Sequence, residues 1–362
     1  MSANEKIKIG LLIPLTGKNS EIGQSIINSS RLAINKINNP SVEIIPRDTR
    51  SDPNIALRSA KELNELGVKI IIGPVFNSSQ KYLEELEDII FISFTNKSDN
   101  GAKNIINAGI NATSQIKSIK KFIELNKIKK TIFLTPDLDY KNEIIKAISN
   151  SKIRLMKNYI YNVDPTKLTS QIEKITNYKR RKQNLEDEIT RLEKSDESNK
   201  EILIKKLKKK DTLGNVKFDS LIIADFDESL KSVTTSLLYT DISPKKKYFI
   251  TLNQWFDESL LHETSSQPIY FPSVNKKNYE IFTSEYYSKF KHIPNQVSFL
   301  SFDLVGLVYY LIAQNDFLVD NKIFKRETLF KGKVGIFEIK NNKINHILNF
   351  YKVENKKFKK IF

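Results

Sequence analysis

The chain has 362 residues, 40% of them hydrophobic and 10% aromatic, which is enough apolar material to bury sizeable cores and suggests two domains or one large one. It carries 59 basic and 42 acidic residues, a net +17, with three histidines and no cysteine, so a disulfide framework, a thiolate metal site and a cysteine nucleophile are excluded. No uninterrupted apolar run approaches 18 residues, so no membrane-spanning helix is expected.

Residues 1–5 form a polar lead without the basic start or apolar stretch of a signal peptide. The run 7–15 (IKIGLLIPL) reads as a strand buried on both faces of a parallel sheet. Ile22, Ile26, Ser30, Ala33 and Ile37 then mark one face of a helix. A strand at 42–46 leads to Asp52-Pro53, an N-cap followed by proline at the first helical position. That helix buries Ala56, Ala60 and Leu63 and stops at Gly67. A strand at 69–72, a helix around 81–86 and strands at 89–94 and 104–108 complete the first series.

A second series opens at Thr113-Ser114, read as a helix cap, with Ile116, Ile119 and Ile123 on one face. Strands follow at 131–134, 157–161, 220–224, 248–252 and 269–271, with helices at 141–148, 276–290 and 298–314 and a closing hairpin near 333–354. Strand–helix alternation of this kind predicts an α/β fold with mainly parallel sheets.

The segment 174–212 interrupts the second series. Residues 174–210 hold 13 basic and seven acidic side chains, a net +6. Ile175, Tyr178, Lys182, Leu185, Ile189 and Leu192 fall at heptad positions, residues 195–199 break the pattern, and Leu203 and Leu207 restart it. A charged helical hairpin is expected, either packed on itself or projecting to meet a partner.

Fifty of the basic residues are lysine and nine arginine, scattered rather than clustered, so no nucleic-acid partner is expected. Gly10, Gly17 and Gly23 do not make GxGxxG, and there is no phosphate-loop motif, GxSxG or HExxH. His262, His292 and His346 share no short spacing and read as surface residues. Neither an enzyme nor a metal or cofactor site is indicated. What remains are polar and aromatic side chains at strand ends, where open α/β sheets bind ligands. Those of the first series are Thr16, Asn77, Ser78, Ser79, Ser93, Thr95 and Asn96; those of the second are Tyr140, Asp225, Asn253 and Trp255. Ser78, Ser79 and Thr95 are also placed to open helices, whose free N–H groups favour an anion.

Residues 8–37 resemble the opening of type I periplasmic binding proteins of the Leu/Ile/Val-binding family, and the blocks IIGPVFNSS (71–79), ISFTN (92–96), TPDLDY (135–140) and FDLVGLVYYLI (302–312) follow in the family's order. The resemblance implies an exported, periplasmic protein of two lobes joined by three crossovers near 112–118, 271–275 and 329–332, closing on a small ligand and serving an ABC importer. Lobe one would comprise 6–114 and 274–329, lobe two 115–273 and 330–362. It also implies that Ser78 or Ser79 and Thr95 hold a ligand carboxylate, with Tyr140 facing them from lobe two. The acid that meets a ligand ammonium would lie near Asn253, where no carboxylate stands; Asp225 is the substitute at hand.

PRDT (46–49), GPVF (73–76), Ala224-Asp225 and the charged insertion are also similar to penicillin-binding protein activators. That likeness implies the same fold acting by contact with a peptidoglycan synthase, with the insertion as the contact arm.

Overall fold

The computed structural model describes residues 6–97, 101–320 and 322–362, so the 1–5 lead lies outside the described residues. The first series is β1 (Ile7–Ile13), α1 (Ser20–Ile37), β2 (Val42–Asp48), α2 (Pro53–Glu65), β3 (Ile70–Ile72), β4 (Ile90–Ser93) and β5 (Ile105–Asn107). The second series opens with α3 (Ala112–Leu125), β6 (Thr131–Pro136), α4 (Lys141–Ser151), β7 (Lys157–Tyr161) and α5 (Pro165–Ile175). The insertion forms α6 (Tyr178–Glu193) and α7 (Lys200–Leu207), followed by β8 (Ser220–Ile223), α8 (Asp227–Tyr239), β9 (Tyr248–Thr251), α9 (Ser259–His262) and β10 (Ile269–Ser273). The chain ends with α10 (Lys276–Phe290), α11 (Gln296–Ala313), β11 (Thr328–Lys331), β12 (Ile336–Lys340), β13 (Lys343–Ile347), β14 (Asn349–Glu354) and β15 (Lys357–Lys360).

The chain divides into two compact units. The first is the chain up to Ser118 together with Ser273–Asn349; the second is Ile119–Pro272 with Phe350–Phe362. The last passage falls after Asn349 rather than at 329–332, because β11–β13 belong to the first unit. Phe337, Ile339 and Ile344 of this antiparallel sheet are buried there. The Asp303 carboxylate of α11 accepts from Lys333 N at 2.8 Å and Val334 N at 2.6 Å. Gly332 permits that grip, since a Cβ there would lie 2.2 Å from Asp303 Oδ2. The expected closing hairpin is thus a three-stranded sheet in one unit and a separate hairpin, β14–β15, in the other.

In the first unit the order β2-β1-β3-β4-β5 is parallel throughout. Ile9, Leu11, Leu12 and Ile13 of β1 are all buried, which is why that strand reads as a continuous apolar run. Asp52 caps α2 as expected, its Oδ1 accepting from Asn54 N at 2.8 Å and Ile55 N at 2.9 Å. The cap of α3 is Asn111 rather than Thr113-Ser114; Asn111 Oδ1 accepts from Ser114 N at 2.8 Å. The helix expected at 81–86 is replaced by 3-10 turns at Asn77–Gln80 and Leu83–Glu85. By length and composition α11 is apolar enough to cross a membrane, with a mean hydropathy of 1.6, contrary to the expectation from uninterrupted runs. Its Phe299, Leu304, Val305, Leu307 and Val308 are fully buried in this unit, and α1 packs along it.

The second unit is built on the order β15-β14-β10-β9-β8-β6-β7, parallel from β10 to β7 and antiparallel at β14–β15. Phe122 stacks on Phe350 at 4.6 Å, tying α3 to the returning strand β14. The hairpin α6–α7 is not packed on itself alone. Arg181, 6% exposed, donates from Nε to Thr176 O at 3.1 Å and from Nη1 to Thr212 Oγ1 at 2.9 Å, and its Nη2 donates to Thr240 O. Leu185 and Leu192 are buried as the heptads predict, but Arg181 takes the inner place assigned to Lys182.

Candidate functional site at the carboxyl ends of the strands

The expected site residues form two sets, one in each unit. In the first unit, Thr16 follows β1 and is exposed. Its hydroxyl donates to Asp48 Oδ2 at 2.6 Å, while Leu15 N, Thr16 N and Arg50 N donate to Asp48 Oδ1 at 2.8, 3.3 and 2.9 Å. Burial raises the Asp48 pKa, but these four bonds outweigh it and hold the carboxyl below its usual range. Thr16 and Asp48 therefore lock the β1 and β2 ends together.

Ser93 ends β4 and is fully buried. It donates to Pro74 O at 2.9 Å and accepts from Gln80 Nε2 at 2.6 Å and Thr95 N at 3.2 Å. Gln80 Nε2 also donates to Asn107 Oδ1 at 3.1 Å, so one amide ties the ends of β4 and β5 to the turn after β3. Gly73 permits the approach of that turn: at φ 121° a Cβ would sit 2.1 Å from Leu12 O. Asn77, Ser78 and Asn96 are exposed, and Thr95 is buried. Ser79 differs from its neighbours, being 1% exposed with a hydroxyl that has no hydrogen-bond partner.

Among the described residues the helix N-termini expected at these positions are absent. Ser78 and Ser79 lie within a four-residue 3-10 turn, and Thr95 is followed by irregular chain through Lys97. No helix dipole is available there for an anion.

In the second unit the centre is Asp225, just beyond β8 and 2% exposed. Its Oδ2 accepts from Tyr161 Oη at 2.5 Å and Ser229 Oγ at 2.8 Å, and its Oδ1 from Phe226 N at 3.0 Å. Gln254 Nε2 donates to Asp225 O at 3.1 Å. Tyr140 Oη donates to Ala224 O at 3.2 Å, and its ring meets Phe226 edge-on at 6.1 Å. Burial and then the Asp225 charge raise the pKa of Tyr140 and of Tyr161, so both stay phenolic and act as donors. Asn253 Oδ1 accepts from Trp255 N at 3.0 Å across a turn in which Trp255 and Phe256 both have positive φ, 49° and 60°. Phe256 is held there by edge contacts with Phe271, Tyr351 and Phe358.

The strand ends read from sequence include Gln254, within Asn253-Gln254-Trp255, but not Asp48, Gln80, Tyr161 or Ser229. Two had a usable signal: Asp48 and Tyr161 close β2 and β7, so the strand-end rule, applied to every strand, finds them. Of the three histidines expected at the surface, His346 is 3% exposed, its Nε2 2.8 Å from Ala108 O. Among the described residues no group of three or more His, Asp or Glu could hold a metal ion.

Residues 6–177 match the family described as periplasmic binding protein, just under half of the chain. A 91-residue stretch is 30% identical to the uncharacterized protein MJ1266 of Methanocaldococcus jannaschii, covering 23% of this chain and 22% of that protein. This chain therefore spans under a quarter of that relative's length. Among solved structures, the C-domain of LpoA (YraM) from Haemophilus influenzae, a regulator of PBP1A, superposes with a TM-score of 0.68 at 12% identity, covering 98% of this chain and 100% of that one. A Rhodospirillum rubrum chain described as a branched-chain amino acid ABC transporter gives 0.73 at 13% identity with the same coverage. The branched-chain amino acid transporter substrate binding protein LivJ of Streptococcus pneumoniae, in complex with isoleucine, gives 0.55 at 17% identity, covering 98% of each chain. At these identities the likeness is one of fold, and the chain has the type I periplasmic binding protein fold. The family and these neighbours are non-catalytic solute-binding proteins and a regulator.

Proposed function

We propose that the chain is a non-catalytic protein of the cell envelope that acts chiefly by contact with a partner protein, as an activator of a peptidoglycan synthase, rather than by carrying a solute. The observation that carries this reading is the internal pairing of the strand-end groups. Thr16 is spent on Asp48, Ser93 on Pro74, Gln80 and Thr95, Tyr140 on Ala224, and Asp225 on Tyr161, Ser229 and Phe226. A ligand would have to displace bonds already made, and a buried polar group left unpaired costs about 1–3 kcal/mol. An amino-acid ammonium would add the cost of its own desolvation, because Asp225 already takes three donors and position 253 is an asparagine rather than a carboxylate. The hairpin α6–α7 supplies the contact arm, fixed at its root by Arg181.

The test is direct binding of the purified chain to a purified bifunctional peptidoglycan synthase from the same organism. Deleting 176–210 is expected to remove binding while the remainder keeps its unfolding transition. Retained binding would place the contact elsewhere, and no binding by the intact chain would reject the reading.

One observation favours the second reading, a solute receptor for an ABC importer. The buried, unpartnered Ser79 hydroxyl is where a ligand carboxylate would find a donor. In that case Thr95, with Asn77, Ser78 and Asn96 around it, completes the ligand set of the first unit, and Tyr140, Asn253 and Trp255 that of the second. Saturable thermal stabilisation by one class in a panel of amino acids, aromatic acids, peptides and sugars would carry this reading over the first.

A further inference from the structure

We infer that the root of the α6–α7 hairpin holds a site for a multiply charged, phosphate-type anion, independent of the strand-end residues. A cavity of about 290 Å³ opens where residues 209–216 re-enter the second unit beside the 241–247 turn. Lys209 and Lys210 line it from the hairpin, Lys246 and Lys247 from the turn before β9, and Arg181 from α6. Against these five positive charges stand two carboxylates, Asp211 and Asp241. Asp241 is already engaged, accepting from Thr212 Oγ1 at 2.6 Å. Among the described residues none of the four lysines forms an ion pair; Lys247 Nζ instead lies 6.0 Å over the Phe218 ring.

Arg181 makes this more than a cluster of surface lysines. Its guanidinium is buried, yet its three hydrogen bonds go to two carbonyls and a hydroxyl, and its link to Asp241 runs through the Thr212 hydroxyl. A guanidinium has five N–H donors, three of which are used in these bonds, and Arg181 lines the cavity. A buried cation without a directly bonded anion is costly, and an anion in the cavity offsets that cost.

The charge is also distributed unevenly along the hairpin. Away from the root, Arg191 pairs with Glu188 at 2.9 Å and with Glu197 at 3.0 Å, so that end is largely neutralised. Of the run Lys205, Lys206, Lys208, Lys209 and Lys210, Lys209 and Lys210 line the root cavity, whereas Lys205 and Lys208 lie beside Glu193 and Glu201. Excess positive charge around one concave space suits an anion of more than one charge better than a monocarboxylate. Ammonium groups beside a guanidinium fork match phosphate oxygens. A soluble phosphate compound and a phospholipid headgroup share this chemistry.

The test uses the full chain and inorganic pyrophosphate, titrated calorimetrically at fixed ionic strength. Saturable one-to-one binding is expected, at least tenfold weaker in Lys209→Gln/Lys246→Gln and unchanged in the charge-matched control Lys61→Gln/Lys194→Gln. All four lysines are exposed, so both variants should fold. A parallel arm measures co-sedimentation with phosphatidic acid, a phosphomonoester headgroup, and with phosphatidylcholine vesicles. Loss of phosphatidic acid binding in the first variant alone assigns the headgroup as the source. Pyrophosphate binding without vesicle binding assigns a soluble anion. Absence of saturable binding in both arms, or equal weakening in the two variants, overturns the site.

Discussion

The Tyr161 hydroxyl donates to Asp225 Oδ2 at 2.5 Å, joining the ends of β7 and β8, two strands separated in their sheet by β6. That bond converts a buried carboxylate beyond a strand end, the expected position for a ligand contact, into a brace of the second unit. Ser229 Oγ and Phe226 N supply the other donors, so the carboxylate is solvated by its own fold.

Tyr161→Phe removes one of those three donors without changing volume. Because the acceptor is charged and buried, the expected loss is about 1–3 kcal/mol in unfolding free energy, read from urea midpoints. An unchanged midpoint would mean that the Tyr161 bond adds no net stability and that Asp225 is not a brace of the second unit.

Ser79→Ala separates the two functional readings. Deleting a buried hydroxyl with no partner is expected to leave the ligand-free chain as stable or slightly more so. If the chain is a solute receptor, the same change weakens its ligand about tenfold or more while stability holds. A destabilised variant would show that the hydroxyl is paired in solution, removing the observation that favours a receptor.

Arg181→Ala is expected to loosen the hairpin before the rest of the second unit. It takes the donor from Thr176 O, Thr240 O and Thr212 Oγ1 at one stroke, although Thr212 keeps its own bond to Asp241, and Leu185 and Leu192 stay buried. Amide exchange should quicken over 178–212 and stay unchanged in β8 and β9. Uniform acceleration through the unit would show instead that Arg181 belongs to its global core.

The sheets were the most legible feature, because strands buried on both faces write themselves as apolar runs; Ile70–Ile72 and Ser220–Ile223 are buried along their whole length. Helix phase across the insertion was harder. Asn177 adopts the left-handed conformation, φ 51°, between α5 and α6, so a heptad count begun at Ile175 does not carry into the next helix and picks Lys182 over Arg181. The segment 81–86 shows only six residues of pattern, too few to hold an α-helix unaided. In the candidate site the strand-end positions could be read from order alone. Which of them are already paired could not, because Thr16 with Asp48 and Tyr161 with Asp225 are 32 and 64 residues apart.

Two buried groups in the first unit should impose opposite pH dependences on stability. Burial depresses the His346 pKa to about 4, with its Nε2 bonded to Ala108 O and its Nδ1 unpartnered. Between about pH 4 and 6.5 the unfolded chain binds a proton that the folded chain refuses, so stability rises with pH by about 3 kcal/mol over that interval. Asp303 runs the other way. Burial raises its pKa to about 6, against the bonds from Lys333 N and Val334 N, so between about pH 4 and 6 the folded chain holds a proton that the unfolded chain releases. Its contribution falls by a similar amount, about 3 kcal/mol, as pH rises through that window. The two nearly cancel in the wild-type protein over pH 4–6, and each variant should expose the other. On its own curve His346→Gln, left with Asp303, should gain stability as pH falls from 6 to 4, and Asp303→Asn, left with His346, should lose it as pH falls from 6.5. Urea midpoints at pH 4, 5, 6 and 7 read both slopes, and variant curves parallel to wild type would show that neither group titrates in the folded chain as its burial requires.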